Sequence, residues 1–145
     1  MAKDSFTEEE HQRILGAIKE AEKDTSGEIR LFVEDHCKVD VLDRAALLFK
    51  ELEMHKTEHR NGVLFYLAMV SRKFAVIGDA GIHAKVPPDF WDKVKDRMQA
   101  HFTEGRFVAG LSEGIIESGH ALKKYFPHSS NDSNELPDDI VFGKD

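Results

Sequence analysis

Apolar positions along the chain fall into two periods, and the change from one to the other marks the elements. Ile14, Leu15, Ile18 and Ala21 recur at helical spacing after Thr7 and Glu10, a capping box, so a helix is expected over residues 8–23. Thr25-Ser26-Gly27 interrupts it, and EIRLFVE at residues 28–34 alternates and is rich in branched and aromatic side chains, which predicts a strand. Asp40 can cap a second helix, with Val41, Ala45, Leu48 and Leu52 on one face and an end near Glu53.

Residues 63–70 are apolar throughout, the pattern of a strand covered on both faces. Ser71-Arg72-Lys73 is too short for a crossover, so residues 74–77 should return antiparallel as a hairpin. Pro87-Pro88 then precedes a helical set (Phe90, Trp91, Val94, Met98, Phe102) closed by Gly105. A last helix over residues 108–125 turns Leu111, Ile115, Ile116, Gly119 and Leu122 inward and stops at Pro127. Glu113 and Glu117 on that helix read as a solvated face.

One helix joins the first two strands, so they should lie parallel with a right-handed crossover, and the third strand should pair antiparallel with the second. The expected fold class is α/β, a three-layer α/β/α sandwich around a small mixed sheet. With 145 residues, one domain over residues 1–127 is expected. Residues 128–145 form a separate acidic tail, five acids against Lys144, which leaves −3 of the total charge of −7 on the rest. The tail lacks the apolar groups that would offset the entropy of ordering it, so it is expected to be mostly disordered, with Ile140-Val141-Phe142 as the run able to dock as a short anchor.

The charge pattern excludes a nucleic-acid footprint, which requires clustered Lys and Arg. No apolar run approaches the ~20 residues of a membrane-spanning helix, and MAKDSFTEEE has no apolar signal region, so a cytoplasmic location is the expectation. Cys37 is the lone cysteine, which rules out an internal disulfide or a Cys-based zinc cage.

Topology then concentrates chemistry. The loops before Glu28, before Val63 and after Ile77 should meet at one edge of the sheet. That gathers Asp24, Thr25, Ser26 and Glu28, then His59, Arg60 and Asn61, then Asp79, with His83 and Asp89 from the following loop. Carboxylates, an amide and hydroxyls are hard oxygen donors, suited to calcium or magnesium, and flexible loops favour calcium. The plain alternative is that Asp79, between Gly78 and Gly81, is a turn residue accepting backbone N–H bonds, and Glu28 a solvated charge. His55 and His59, with His83, have a zinc-like spacing only if their segment is helical, and Gly62 argues against that. No phosphate-binding glycine loop and no nucleophile elbow is present.

Gly27-Glu28-Ile29-Arg30, Arg60-Asn61-Gly62-Val63-Leu64, Arg72-Lys73, Val76-Ile77-Gly78-Asp79 with Gly81-Ile82, and the stretch around Phe107 and Gly110 to Gly114 together resemble the TPM domain over about residues 7–126. Proteins of that family include thylakoid lumen proteins linked to photosystem repair and acid phosphatase activity, a nematode membrane modulator of acetylcholine receptors, and many bacterial proteins. The resemblance implies an α/β/α sandwich and divalent metal binding, calcium prominent, with Asn61, Asp79 and Asp89 as matching positions. His83 departs, standing where many relatives have Glu. The leader and C-terminal membrane helix of many relatives are not seen, so a stand-alone soluble form is expected.

The leading expectation is therefore a binding module holding calcium, or magnesium, through Asp79 with Glu28, Asn61 and Asp89. A second is a metal-dependent phosphatase in which Arg60 or Lys85 steadies the phosphate. A third is a protein-interaction domain without metal, its protein partner unknown.

Overall fold

A computed structural model describes residues 2–127 and 140–143. After a single 3-10 turn at Ala2–Asp4, the chain runs α1 (Glu8–Glu22), β1 (Glu28–Glu34), α2 (Val41–Glu51), β2 (Gly62–Ala68), β3 (Lys73–Gly78), α3 (Ala80–His83), α4 (Phe90–Thr103), α5 (Phe107–Tyr125) and β4 (Ile140–Phe142). The capping box at α1 is formed in both directions: Glu10 N–H donates to Thr7 Oγ1 at 3.1 Å, and Thr7 N–H to Glu10 Oε1 at 2.9 Å. Asp40 caps α2 through the N–H groups of Leu42 and Asp43. Gly105, at φ +77°, turns the chain out of α4.

The sheet has the order β3-β2-β1-β4. β1 and β2 are parallel, Glu28 opposite Gly62 and Glu34 opposite Ala68, and β3 returns antiparallel on β2. β4 adds a second parallel neighbour to β1, pairing Leu31 with Ile140 and Val33 with Phe142. The apolar run at residues 140–142 is thus the docked anchor, while the rest of the tail expected to be disordered, residues 128–139 and 144–145, lies outside the described residues.

Strand alternation divides the core in two. Ile29, Leu31, Val33, Val63, Phe65, Leu67 and Val76 pack with α1, α4 and α5 on one face, and Phe32, Leu64, Tyr66 and Ala75 pack with α2 on the other. This is the three-layer α/β/α sandwich. The helical layer is close-packed: a Cβ at Gly119 of α5 would lie 2.6 Å from the Ala21 Cα of α1. Glu113 and Glu117 do not simply face water. They bridge to α4, Glu117 to Arg97 at 2.7 Å and Glu113 to His101 at 2.5 Å.

Candidate functional site at the sheet edge

The glycines that end β3 mark a place where backbones touch. A Cβ at Gly81 would lie 2.1 Å from the His59 carbonyl oxygen and 2.6 Å from that of Arg60, and one at Gly78 would lie 2.4 Å from the Trp91 ring. Only glycine permits both approaches. Between them Asp79 caps α3, its Oδ1 accepting from Ala80 N–H at 2.8 Å, so a one-turn helix occupies part of the segment expected to be loop.

The three loops meet as parallel pairing requires. Glu28 N–H donates to the Asn61 carbonyl at 3.4 Å, Asp79 N–H to the Gly62 carbonyl at 2.9 Å, and Gly81 N–H to the Arg60 carbonyl at 2.8 Å. Asn61 Nδ2 donates to Ser26 Oγ at 3.1 Å, joining the first two loops through side chains. Thr25 closes the first loop, its hydroxyl reaching the Leu122 carbonyl at the end of α5 and accepting from Gly27 N–H. Asn61 is 1% exposed, Glu28 2% and Asp79 7%, so three polar side chains are withdrawn from water at one edge.

Asp79 has a charged partner. Arg60 Nε donates to Oδ2 at 2.7 Å and Nη2 to Oδ1 at 2.8 Å, a bidentate pair in which the arginine side chain is 51% exposed. The pair raises the Arg60 pKa from its ordinary value, chiefly through the hydrogen bonds to Asp79. Arg60 is held there in the left-handed region, φ +51°.

The structure brings Thr25, Ser26, Glu28, Arg60, Asn61 and Asp79 to this edge but turns Asp89, Lys85 and the histidine side chains away from Asp79. Asp89 is exposed and pairs with Lys93 one turn along α4 at 3.0 Å, which lowers its pKa, first through that hydrogen bond. Lys85 and His83 are exposed beyond α3. His55 and His59 lie in turns rather than a helix, and the His59 ring sits 6.2 Å from that of Phe126. Trp91 roofs Gly78 and keeps its Nε1 buried without a hydrogen-bond partner among the described residues.

Whether these residues fit a divalent ion turns on Asp79. Both its oxygens already accept N–H donors, and among the described residues no three His, Cys, Asp or Glu side chains converge on one point. Gly62 separates the two acids, facing Glu28 in β1 on one side and accepting from Asp79 N–H on the other. A cation reaches the Asp79 oxygens only where the half-exposed Arg60 swings away.

A second polar cluster, not foreseen from the sequence, lies at the opposite end of β1 and β2. Glu34 accepts from Arg44 Nε and Nη2, both at 2.9 Å, and from the Tyr66 hydroxyl. Burial, and then this hydrogen bond to Glu34, push the Tyr66 hydroxyl far above the ordinary tyrosine range. The signal available was a tyrosine inside an otherwise apolar strand: a buried hydroxyl must find a partner.

Comparison with known proteins agrees with the fold. The family model described as the TPM domain matches residues 2–128. The NMR structure of BA42 protein from the psychrophilic bacterium Bizionia argentinensis is similar at 44% identity and TM-score 0.90, over 97% of each chain. The N-terminal domain of a P. gingivalis protein is similar at 18% identity and TM-score 0.71, over 87% of this chain and 83% of that one. The N-terminal domain of the cg2496 protein from Corynebacterium glutamicum is similar at 11% identity and TM-score 0.63, over 97% and 83%. These last two likenesses concern the fold alone. No curated protein matches the chain.

Proposed function

The chain belongs to the TPM domain family, and from that premise we propose that it is a binding module whose sheet edge takes a divalent cation, calcium in preference to magnesium, at Asp79. One observation carries the reading: a carboxylate 7% exposed has as its counter-ion an arginine that is 51% exposed and reaches in from a loop. The guanidinium is already half in water and re-solvates readily, whereas Asp79 is left without a counter-charge unless another cation takes the place of the arginine. A hydrated divalent ion brings charge of the same sign and twice the size, and Asn61 and Glu28 are the other buried oxygen-bearing side chains of this edge, Glu28 across Gly62 from Asp79. Asp89, paired with Lys93 on the exposed side, is a ligand only if that pair opens as well. Calcium is preferred because the donors sit on loops and tolerate irregular geometry, which magnesium does not.

The same exchange frees the Arg60 guanidinium, and this favours one second reading, a metal-assisted phosphomonoesterase with Arg60 on a phosphate oxygen. Lys85 is exposed beyond α3 as a further cation.

Calorimetric titration with calcium and with magnesium tests the first reading on three proteins. Wild type should bind calcium, Asp79→Ala should not, and Arg60→Gly should bind more tightly because the competing cation is gone. Absence of binding by wild type and by Arg60→Gly alike overturns it. For the second reading, hydrolysis of a generic phosphomonoester should require the metal and fall in Asp79→Ala. Activity that survives both chelation and the substitution counts against it.

A further inference from the structure

Far from the Asp79 edge, where β2 ends and β3 begins, the α1/α4/α5 face of the sheet opens into a cleft of about 650 Å³. Its apolar wall is aromatic. Phe74 of β3 meets Phe102 of α4 edge-on at 4.9 Å, and Phe102 meets Phe107 of α5 at 5.3 Å, so three elements each contribute a ring. The volume lies within the range of small-molecule sites, which are mostly apolar with a few placed polar groups.

The polar lining has one sign. Among the described residues the cleft is lined by Arg72 and Lys73 but by no carboxylate, in a chain with 27 acids against 20 bases. Lys73 is already engaged, its Nζ donating to the carbonyls of Cys37 and Val39 at 3.2 and 3.4 Å. Gln99 and Thr103 satisfy one another, Nε2 to Oγ1 at 3.2 Å. Arg72 has no such engagement among the described residues and is exposed. It is also positioned: the hairpin tip is tied to the end of β1 by Met69 N–H on the Glu34 carbonyl (2.9 Å) and Val70 N–H on the Asp35 carbonyl (2.8 Å), with Arg72 at φ +55°.

We propose that this cleft is a binding site for a small amphipathic carboxylate, its aliphatic or aryl body against Phe74, Phe102 and Phe107 and its carboxylate on the Arg72 guanidinium. An amine of the same body would meet Arg72 as a like charge, and an alcohol would forgo the charge-assisted bond. The site shares no residue with the Asp79 edge, so the two proposals stand or fall separately.

Octanoate is a suitable probe, followed by 1H–15N chemical-shift changes in the full-length protein, with octylamine and octanol as matched controls. Octanoate should produce saturable shifts centred on the amides of Arg72, Thr103, Gly105 and Phe107. A dissociation constant in the millimolar range or tighter is expected for a body of about ten heavy atoms. Arg72→Gly, a change the positive φ accommodates, should weaken binding about tenfold through loss of the charged hydrogen bond. Arg72→Lys should retain most of it. Shifts scattered over the surface, equal binding of octylamine, or an unaltered affinity in a folded Arg72→Gly protein would each overturn the proposal.

Discussion

Arg60 and Asp79 are 19 positions apart, yet the arginine fork covers both oxygens of the carboxylate at 2.7 and 2.8 Å. The pair joins the loop that leads into β2 to the loop that leaves β3. The two partners carry unequal weight, because Asp79 is buried and also caps α3, whereas Arg60 is half-exposed and sits at φ +51°.

Substitution should reveal that asymmetry. Asp79→Ala removes the cap and leaves Ala80 N–H and Arg60 without their acceptor, so a loss of about 1 kcal/mol or more is expected, the usual worth of a cap. Arg60→Gly should cost less, since water enters the half-exposed position that the guanidinium vacates and solvates Asp79, and relief of the left-handed backbone offsets part of the lost pair. Urea unfolding midpoints of the two variants check the order, and an Arg60→Gly protein that is the weaker of the two would contradict it.

The Glu34 cluster predicts a larger effect. Arg44→Ala leaves a carboxylate that is 7% exposed with the Tyr66 hydroxyl but no charge, and should destabilise by about 2–3 kcal/mol, somewhat below the range for a fully buried pair because Arg44 is partly exposed. Equilibrium denaturation in low salt measures it.

Tyr66 also gives the protein an alkaline limit. Its folded-state pKa is raised by burial and then by Glu34, so above about pH 10, the ordinary tyrosine value, the unfolded chain loses a proton that the native state keeps. The unfolded state then binds fewer protons, and stability falls as pH rises. The drop in urea midpoint between pH 8 and about pH 11 should be smaller in Tyr66→Phe than in wild type.

Glycines predict effects of opposite sign. At Gly16, within α1, an added Cβ meets nothing within 4 Å, so Gly16→Ala should stabilise by about 0.5–1 kcal/mol through helix propensity. Gly119→Ala should cost about 1–3 kcal/mol, because its Cβ would press on the Ala21 backbone at 2.6 Å and force α1 from α5. Thermal melts of the two variants should move in opposite directions.

Removing residues 129–145 should lower stability rather than leave it unchanged. The deletion strips Ile140, 5% exposed, from the core and uncovers the edge of β1, and burial of one such side chain contributes about 1.5–3 kcal/mol. A truncated protein that melts with the full chain would show that β4 contributes nothing.

The elements were legible in the sequence because their causes are local. The capping box, the helical spacing of Ile14, Ile18 and Ala21, and the unbroken apolar run of β2 state helix and strand within a few residues, and the short hairpin and single crossover helix then allow few topologies. From that order alone it followed that the loops bearing Glu28, Asn61 and Asp79 meet.

Tertiary structure alone decided which side chains answer one another. Arg60 could have faced a ligand, but the fold turns it onto Asp79, and Asp89 pairs outward with Lys93. Gly78 and Gly81 read as turn residues, whereas their role is to let Trp91 and the 59–60 backbone approach. The aromatic cleft needed β3, α4 and α5 to be placed before Phe74, Phe102 and Phe107 could be seen to share a wall. β4 is the clearest case: three apolar residues in an acidic segment carry no periodicity, and they become a strand only because β1 presents a parallel edge to them. Pattern records what a residue prefers over one or two turns of chain, while pairing across many residues depends on which surfaces the whole fold brings within hydrogen-bond reach.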